Sequence, residues 1–184
     1  YKNGNYPDVY KINLERKNTR SRLVRGRNDI THWMTDQQHR VRLGFGIDET
    51  RIFYTLFDLK SKEWRRIWDY EIFDAPDITP LGFGLNPDEL YIRADHQGRY
   101  AIFTVDLSQV DLPQTLVYAD KNYDIEGGLI YSRLSNDVVG VYHGESEDNK
   151  IYFNADYEKF QQALNQAFPN SSTHITSFSE HERQ

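Results

Sequence analysis

One kind of turn recurs through this chain at a nearly constant interval, and that recurrence limits the fold more than any other feature. Asp36-Gln37-Gln38-His39 follows an alternating stretch containing Trp33, and Asn86-Pro87-Asp88 follows one containing Phe83. Ser135-Asn136-Asp137 follows Tyr131, and Ser179-Glu180-His181 follows Phe178. The spacing is 50 residues from Asp36 to Asn86, 50 from Asn86 to Asn136 and 44 from Asn136 to Glu180. Between these turns apolar and polar residues alternate in short runs, the period of a half-buried strand. The runs are Val9 to Glu15, Ser21 to Arg25, Ile30 to Thr35, Arg40 to Phe45, Arg51 to Asp58 and Glu63 to Tyr70. They continue with Ile78 to Leu85, Glu89 to Ala94, Tyr100 to Leu107, Gln114 to Ala119, Gly128 to Arg133, Val138 to His143 and Lys150 to Asn154. Strands about ten residues apart, grouped at a period of roughly 40 to 50, predict repeated four-stranded sheets. The expected fold is all-β, a partial propeller of about three blades. The blades fall at 30–70, 78–119 and 128–176, with flanking strands of adjacent blades at 9–25 and 177–184.

One segment breaks the pattern. Tyr157 to Phe168 places Phe160, Leu164, Ala167 and Phe168 at helical spacing, opens after Asp156 and stops before Pro169. A short inserted helix is expected there, its apolar stripe packed on the flank of the third blade. A second repetition is misleading: Leu43-Gly44-Phe45-Gly46 and Leu81-Gly82-Phe83-Gly84 match without gaps. In the register set by the turns, the first follows a hairpin turn and the second precedes one, so the two fall on different strands.

Composition agrees with the β reading and removes several functions. The chain holds 13 Tyr, 10 Phe and 3 Trp, residues suited to pleated, half-buried surfaces. It has no cysteine, which excludes a disulfide scaffold, a thiolate zinc site and a cysteine nucleophile. No apolar run approaches the ~18 residues of a membrane-spanning helix. The N-terminus has neither an initiating Met nor a signal peptide's apolar stretch, as in a processed product or an excised fragment. The compartment stays open. The net charge of −6 argues against nucleic acid as a partner. Lys11 to Arg27 is an exception at +6, leaving −12 for the rest. Because Tyr10, Ile12 and Leu14 alternate with Lys11, Asn13 and Glu15, we read this stretch as a hairpin whose cations line its solvated side. The competing reading, a phosphate-binding strip, predicts steeply salt-dependent affinity for nucleic acid.

The residues hold no catalytic apparatus. There is no glycine-rich phosphate loop and no His-Glu-x-x-His motif, and the six histidines are scattered. Gly144-Glu145-Ser146-Glu147-Asp148 lacks the second glycine of a nucleophile elbow and the spacing of a calcium loop. Asp69 with Glu71, or Asp74 with Asp77, could do acid–base work only beside a partner that the sequence does not locate. No catalytic, cofactor-binding or metal-binding residue is assigned.

Two groups of residues carry a family resemblance. Val9-Tyr10-Lys11-Ile12-Asn13-Leu14, then Leu23-Val24-Arg25-Gly26-Arg27, then Trp33-Met34-Thr35-Asp36 with Val41-Arg42, resembles the propeller of acylaminoacyl-peptidase and dipeptidyl-aminopeptidase-like enzymes of the prolyl-oligopeptidase family. The similarity continues through Glu63-Trp64, Pro80-Leu81-Gly82-Phe83, Leu90-Tyr91, Asp124 to Tyr131 and the segment from Glu158 to Leu164. It implies a non-catalytic domain that covers the active site of a serine peptidase and restricts peptide access. The Ser-Asp-His triad of that family lies in a C-terminal α/β-hydrolase domain, which this chain does not match, so no triad residue carries over. The implied partners are that hydrolase domain and a peptide substrate, with no nucleic acid, no membrane and no cofactor. The alternative is a stand-alone propeller-like scaffold for protein or ligand binding.

Two expectations concern surfaces. Open terminal blades would expose unpaired sheet edges, so self-association is expected. The loops 25–30, 44–51, 70–78, 93–100, 119–125 and 143–150 should share one face, and they hold 12 acids against 7 bases. Glu71, Asp74, Asp77, Glu145, Glu147 and Asp148 are the candidate residues of this acidic, chamber-facing rim, which should favour cationic peptides.

Overall fold

The computed structural model describes residues 6–15, 19–27, 29–74, 76–143, 150–171, 173 and 175. The chain is all-β with one helix, arranged as four antiparallel sheets with no closed barrel among the described residues, as in a partial propeller. It divides into two compact units, 1–76 and 77–184.

The first unit holds a two-stranded ribbon, β1 (Val9–Asn13) and β2 (Thr19–Val24), and a four-stranded meander. The meander runs β3 (Ile30–Thr35), β4 (Val41–Asp48), β5 (Arg51–Phe57) and β6 (Trp64–Glu71), with spatial order equal to chain order. Aromatic residues cross it as a ladder. His32, Phe45, Tyr54 and Trp68 are successive register partners, with ring centroids 6.1, 5.2 and 5.4 Å apart. Such cross-strand pairs are the unit of sheet stabilisation. On the opposite face the Trp33 ring lies over Gly44, where a Cβ would stand 2.8 Å from it. The Trp33 indole N–H donates to the Pro7 carbonyl at 2.8 Å, and the Tyr6 hydroxyl donates to Asp29 at 3.0 Å.

The second unit begins with another meander, β7 (Thr79–Phe83), β8 (Glu89–His96), β9 (Arg99–Asp106) and β10 (Gln114–Tyr118). A three-stranded sheet follows, β11 (Leu129–Tyr131), β12 (Val138–Tyr142) and β13 (Lys150–Tyr152). These two sheets share a core of Tyr91, Ile102, Ile125, Val138 and Val141, flanked by Leu81, Val117, Leu129 and Tyr131. Burying each such side chain contributes roughly 1.5–3 kcal/mol. The Tyr131 hydroxyl donates to the Phe83 carbonyl at 3.1 Å, and a Cβ at Gly82 would collide with that hydroxyl.

Helix α1 (Ala155–Ala167) lays Tyr157, Phe160 and Leu164 against Val139, Tyr152 and Ile175. Of the expected stripe, Phe160 and Leu164 pack on the third sheet, whereas Ala167 and Phe168 are exposed, Phe168 at 54%. The helix starts earlier than predicted because Asn154, not Asp156, is its N-cap. The Asn154 side chain accepts from the backbone N–H groups of Asp156 and Tyr157.

The recurring turns join the first two strands of each of the three larger sheets. His39 N–H donates to the Asp36 carbonyl, and Glu89 N–H to that of Asn86. Asn136 N–H donates to the Ser132 carbonyl. The fourth turn, 179–181, lies outside the described residues. The first Leu-Gly-Phe-Gly string lies within β4 and the second ends β7 with Gly84 just beyond it, the second and first strands of their sheets, and their glycines serve different neighbours.

Candidate functional site

In an antiparallel meander, alternate connections lie at the same end of the sheet. Within each sheet the loops singled out above therefore share one end, opposite the recurring turns. The structure places their acids as follows. Glu71 closes β6 opposite Arg51 in the ladder and accepts from its guanidinium at 2.6 Å. Arg51 also donates to Asp69 at 2.8 Å, and Arg66 donates to the other Asp69 oxygen at 2.7 Å. The Arg66 hydrogen bond, together with Arg51, holds the Asp69 carboxyl below the usual range. Asp74 is exposed, in a turn closed by its own N–H donating to the Glu71 carbonyl at 3.0 Å. Beside it the Phe73 side chain is 96% exposed.

Asp77 belongs to the second unit and accepts from the Tyr100 hydroxyl, a bond that raises the Tyr100 phenol above its ordinary value. The Arg93 guanidinium stacks 4.8 Å from the Tyr100 ring and donates to the Glu126 carbonyl at 3.1 Å. Asp124 accepts from the Tyr100 N–H at 2.7 Å, and Asp120 accepts from Asn122 and Tyr123 N–H groups. Those two donors, Asn122 first, hold Asp120 below the usual carboxylate range. Glu145, Glu147 and Asp148 lie outside the described residues. Several of these acids are thus turn caps and ion-pair partners, tied to named groups. No group of three or more His, Asp or Glu that could hold a metal exists among the described residues. No described helix is long and apolar enough to cross a membrane.

The ribbon corrects an expectation. Its register pairs Tyr10 with Arg22 and Ile12 with Arg20, because a connection from Asn13 to Thr19 sets even-numbered residues opposite even-numbered ones. Arg20 and Arg22 therefore share the face of Tyr10 and Ile12 instead of lining the opposite one. That face is itself open, with Tyr10 43%, Ile12 56% and Leu14 82% exposed. The Arg20 guanidinium stands 5.5 Å from the Tyr10 ring, and Arg22 approaches Asp8 at 3.5 Å. The signal was present in the sequence as the parity of the connecting loop, which alternation within one strand does not report.

Sequence reasoning also missed a buried charge pair. Asp36 is 2% exposed and Arg42 is fully buried. One Asp36 oxygen accepts from the Gln38 and Arg40 N–H groups, each at 3.0 Å. The other accepts from the Arg40 side chain at 2.7 Å and faces Arg42 at 3.6 Å. Arg42 donates from Nε to the Phe57 carbonyl at 2.9 Å, tying the first turn of the meander to the end of β5.

No known family model matches the chain, and neither does any curated protein or solved structure.

Proposed function

We propose that this chain is the non-catalytic propeller segment of a prolyl-oligopeptidase-type serine peptidase, shaping access to an active site that lies on an α/β-hydrolase domain. One observation carries the reading. Of the residues that carry the resemblance, Asp36, Val41 and Arg42 are buried in the first four-stranded sheet, with Asp36 and Arg42 facing each other at 3.6 Å. The recurrence of that sheet after β6 supports a repeated blade. The proposed role is steric: blades and loops limit the size of peptide that reaches the chamber. The acidic residues at the loop end of the first four-stranded sheet add a field that favours cationic peptides, and Asp74 is its clearest source because Glu71 is engaged by Arg51.

The test is the polypeptide encoded by the full reading frame. Expected is a Gly-x-Ser-x-Gly elbow in an α/β-hydrolase domain following this segment, and hydrolysis of short peptides but not of folded proteins. A frame with no such domain overturns the proposal. Replacing Glu71, Asp74, Asp77, Glu145, Glu147 and Asp148 by their amides should lower kcat/KM for cationic peptides relative to neutral ones at low salt. Unchanged selectivity would leave the steric role alone.

A further inference from the structure

The outer strands of the sheets differ in charge. β6 carries Arg65 and Arg66 but also Asp69 and Glu71, which are engaged by Arg51 and Arg66. β10, Gln114–Tyr118, carries no charge. β2 likewise stands directly before the connection into the next sheet; its charges are Arg20, which stacks on Tyr10, and Arg22, which approaches Asp8 at 3.5 Å. They alternate with Thr19, Ser21 and Leu23, so both point to one face. Among the described residues, no strand pairs with the outer edge of β2. Nearly every residue of the ribbon is exposed.

We propose that the outer edge of β2 is a docking site for an extended, acidic polypeptide segment of a partner. The segment adds to the ribbon as a third strand with carboxylates at alternate positions. Two complementarities select this occupant. The N–H and C=O groups on the edge of β2 that no described strand pairs form a ladder only with another polypeptide backbone. Side chains directly opposite in such a ladder stand about 5 Å apart, so carboxylates two residues apart in the incoming strand meet Arg20 and Arg22. Pairing of this edge with its own copy in the register that sets Arg20 against Arg22 is disfavoured by repulsion. A nucleic acid would gain the charge but not the ladder. This inference does not depend on the peptidase reading, since an outer strand presents its edge in either case.

The experiment titrates the whole 184-residue chain into a labelled, blocked peptide of alternating glutamate and valine, read by fluorescence anisotropy. Three comparisons accompany it: a block-ordered peptide of the same composition, the alternating peptide N-methylated at every second amide, and single-stranded DNA of equal charge. Expected is binding of the alternating peptide that weakens with salt and falls by about tenfold or more in an Arg20→Glu, Arg22→Glu variant. The N-methylated and block-ordered peptides should bind weakly to the wild-type chain, a readout independent of whether the variant folds. Equal binding of the three peptides, tighter binding of DNA, or no binding at low salt would each overturn the proposal.

Discussion

The Asp36 carboxylate joins a turn to the sheet behind it. It caps the β3–β4 hairpin through two backbone N–H groups and faces the fully buried Arg42. Removing one member of a buried pair leaves the other charge without compensation, a loss of about 3–5 kcal/mol. Asp36→Asn should therefore lower the denaturant midpoint of the first unit strongly. Adding Arg42→Met should recover part of the loss, as a double-mutant cycle by urea denaturation would show. In the second unit, burial pushes the Glu89 carboxyl above its ordinary value, and the Asp137 charge adds to the effect. The folded state then holds that proton more tightly than the unfolded state. The associated stability is present below the ordinary glutamate value and is lost as pH rises through the higher folded value. Glu89→Gln should raise the unfolding midpoint at neutral pH and leave it unchanged in acid, which paired melts at the two pH values would check. An equal gain at both would assign the effect to packing.

At the scale of the element, alternation located the strands, whereas their ends were set by interactions that alternation does not encode. β3 was predicted as Ile30 to Thr35 and is that strand. β4 runs on to Asp48 because a two-residue turn, with Glu49 at a φ of +50°, lets the ladder continue to the Asp48–Arg51 pair. β11 is shorter than expected, since Ser132 already caps a turn through the N–H groups of Leu134 and Ser135. The helix was legible from its stripe, but two good capping residues, Asn154 and Asp156, competed for its start. With Asn154 as the cap, Asn154→Ala should cost about 1 kcal/mol. Asp156→Ala removes only a favourable charge from the first turn and should cost less, about 0.3–1 kcal/mol. Thermal melts of the two variants would rank them, and the reverse order would place the cap at Asp156. The buried Arg42 was not legible at all. β4 is buried at Val41, Arg42, Leu43 and Gly44 in succession, so both of its faces are covered and alternation no longer says which residues are inside.

At the scale of the whole molecule, the turn period revealed repeating sheets but not how they group. Each sheet closes its own ladders, and no ladder among the described residues crosses from one compact unit to the other at Pro76. Cooperative unfolding follows shared burial and hydrogen bonding, and each compact unit closes its ladders within itself. The first unit rests on the aromatic ladder and the Asp36–Arg42 pair. The second rests on the core between its two sheets and on the helix that covers Val139 and Tyr152. Calorimetry of the whole chain should therefore show two transitions. Asp36→Asn should move one, Asn154→Ala and Glu89→Gln the other, because substitutions in separate cooperative units do not couple. Amide exchange resolved along the sequence assigns each transition to 1–76 or 77–184. A single transition displaced by all three substitutions would show that the two units unfold as one cooperative body.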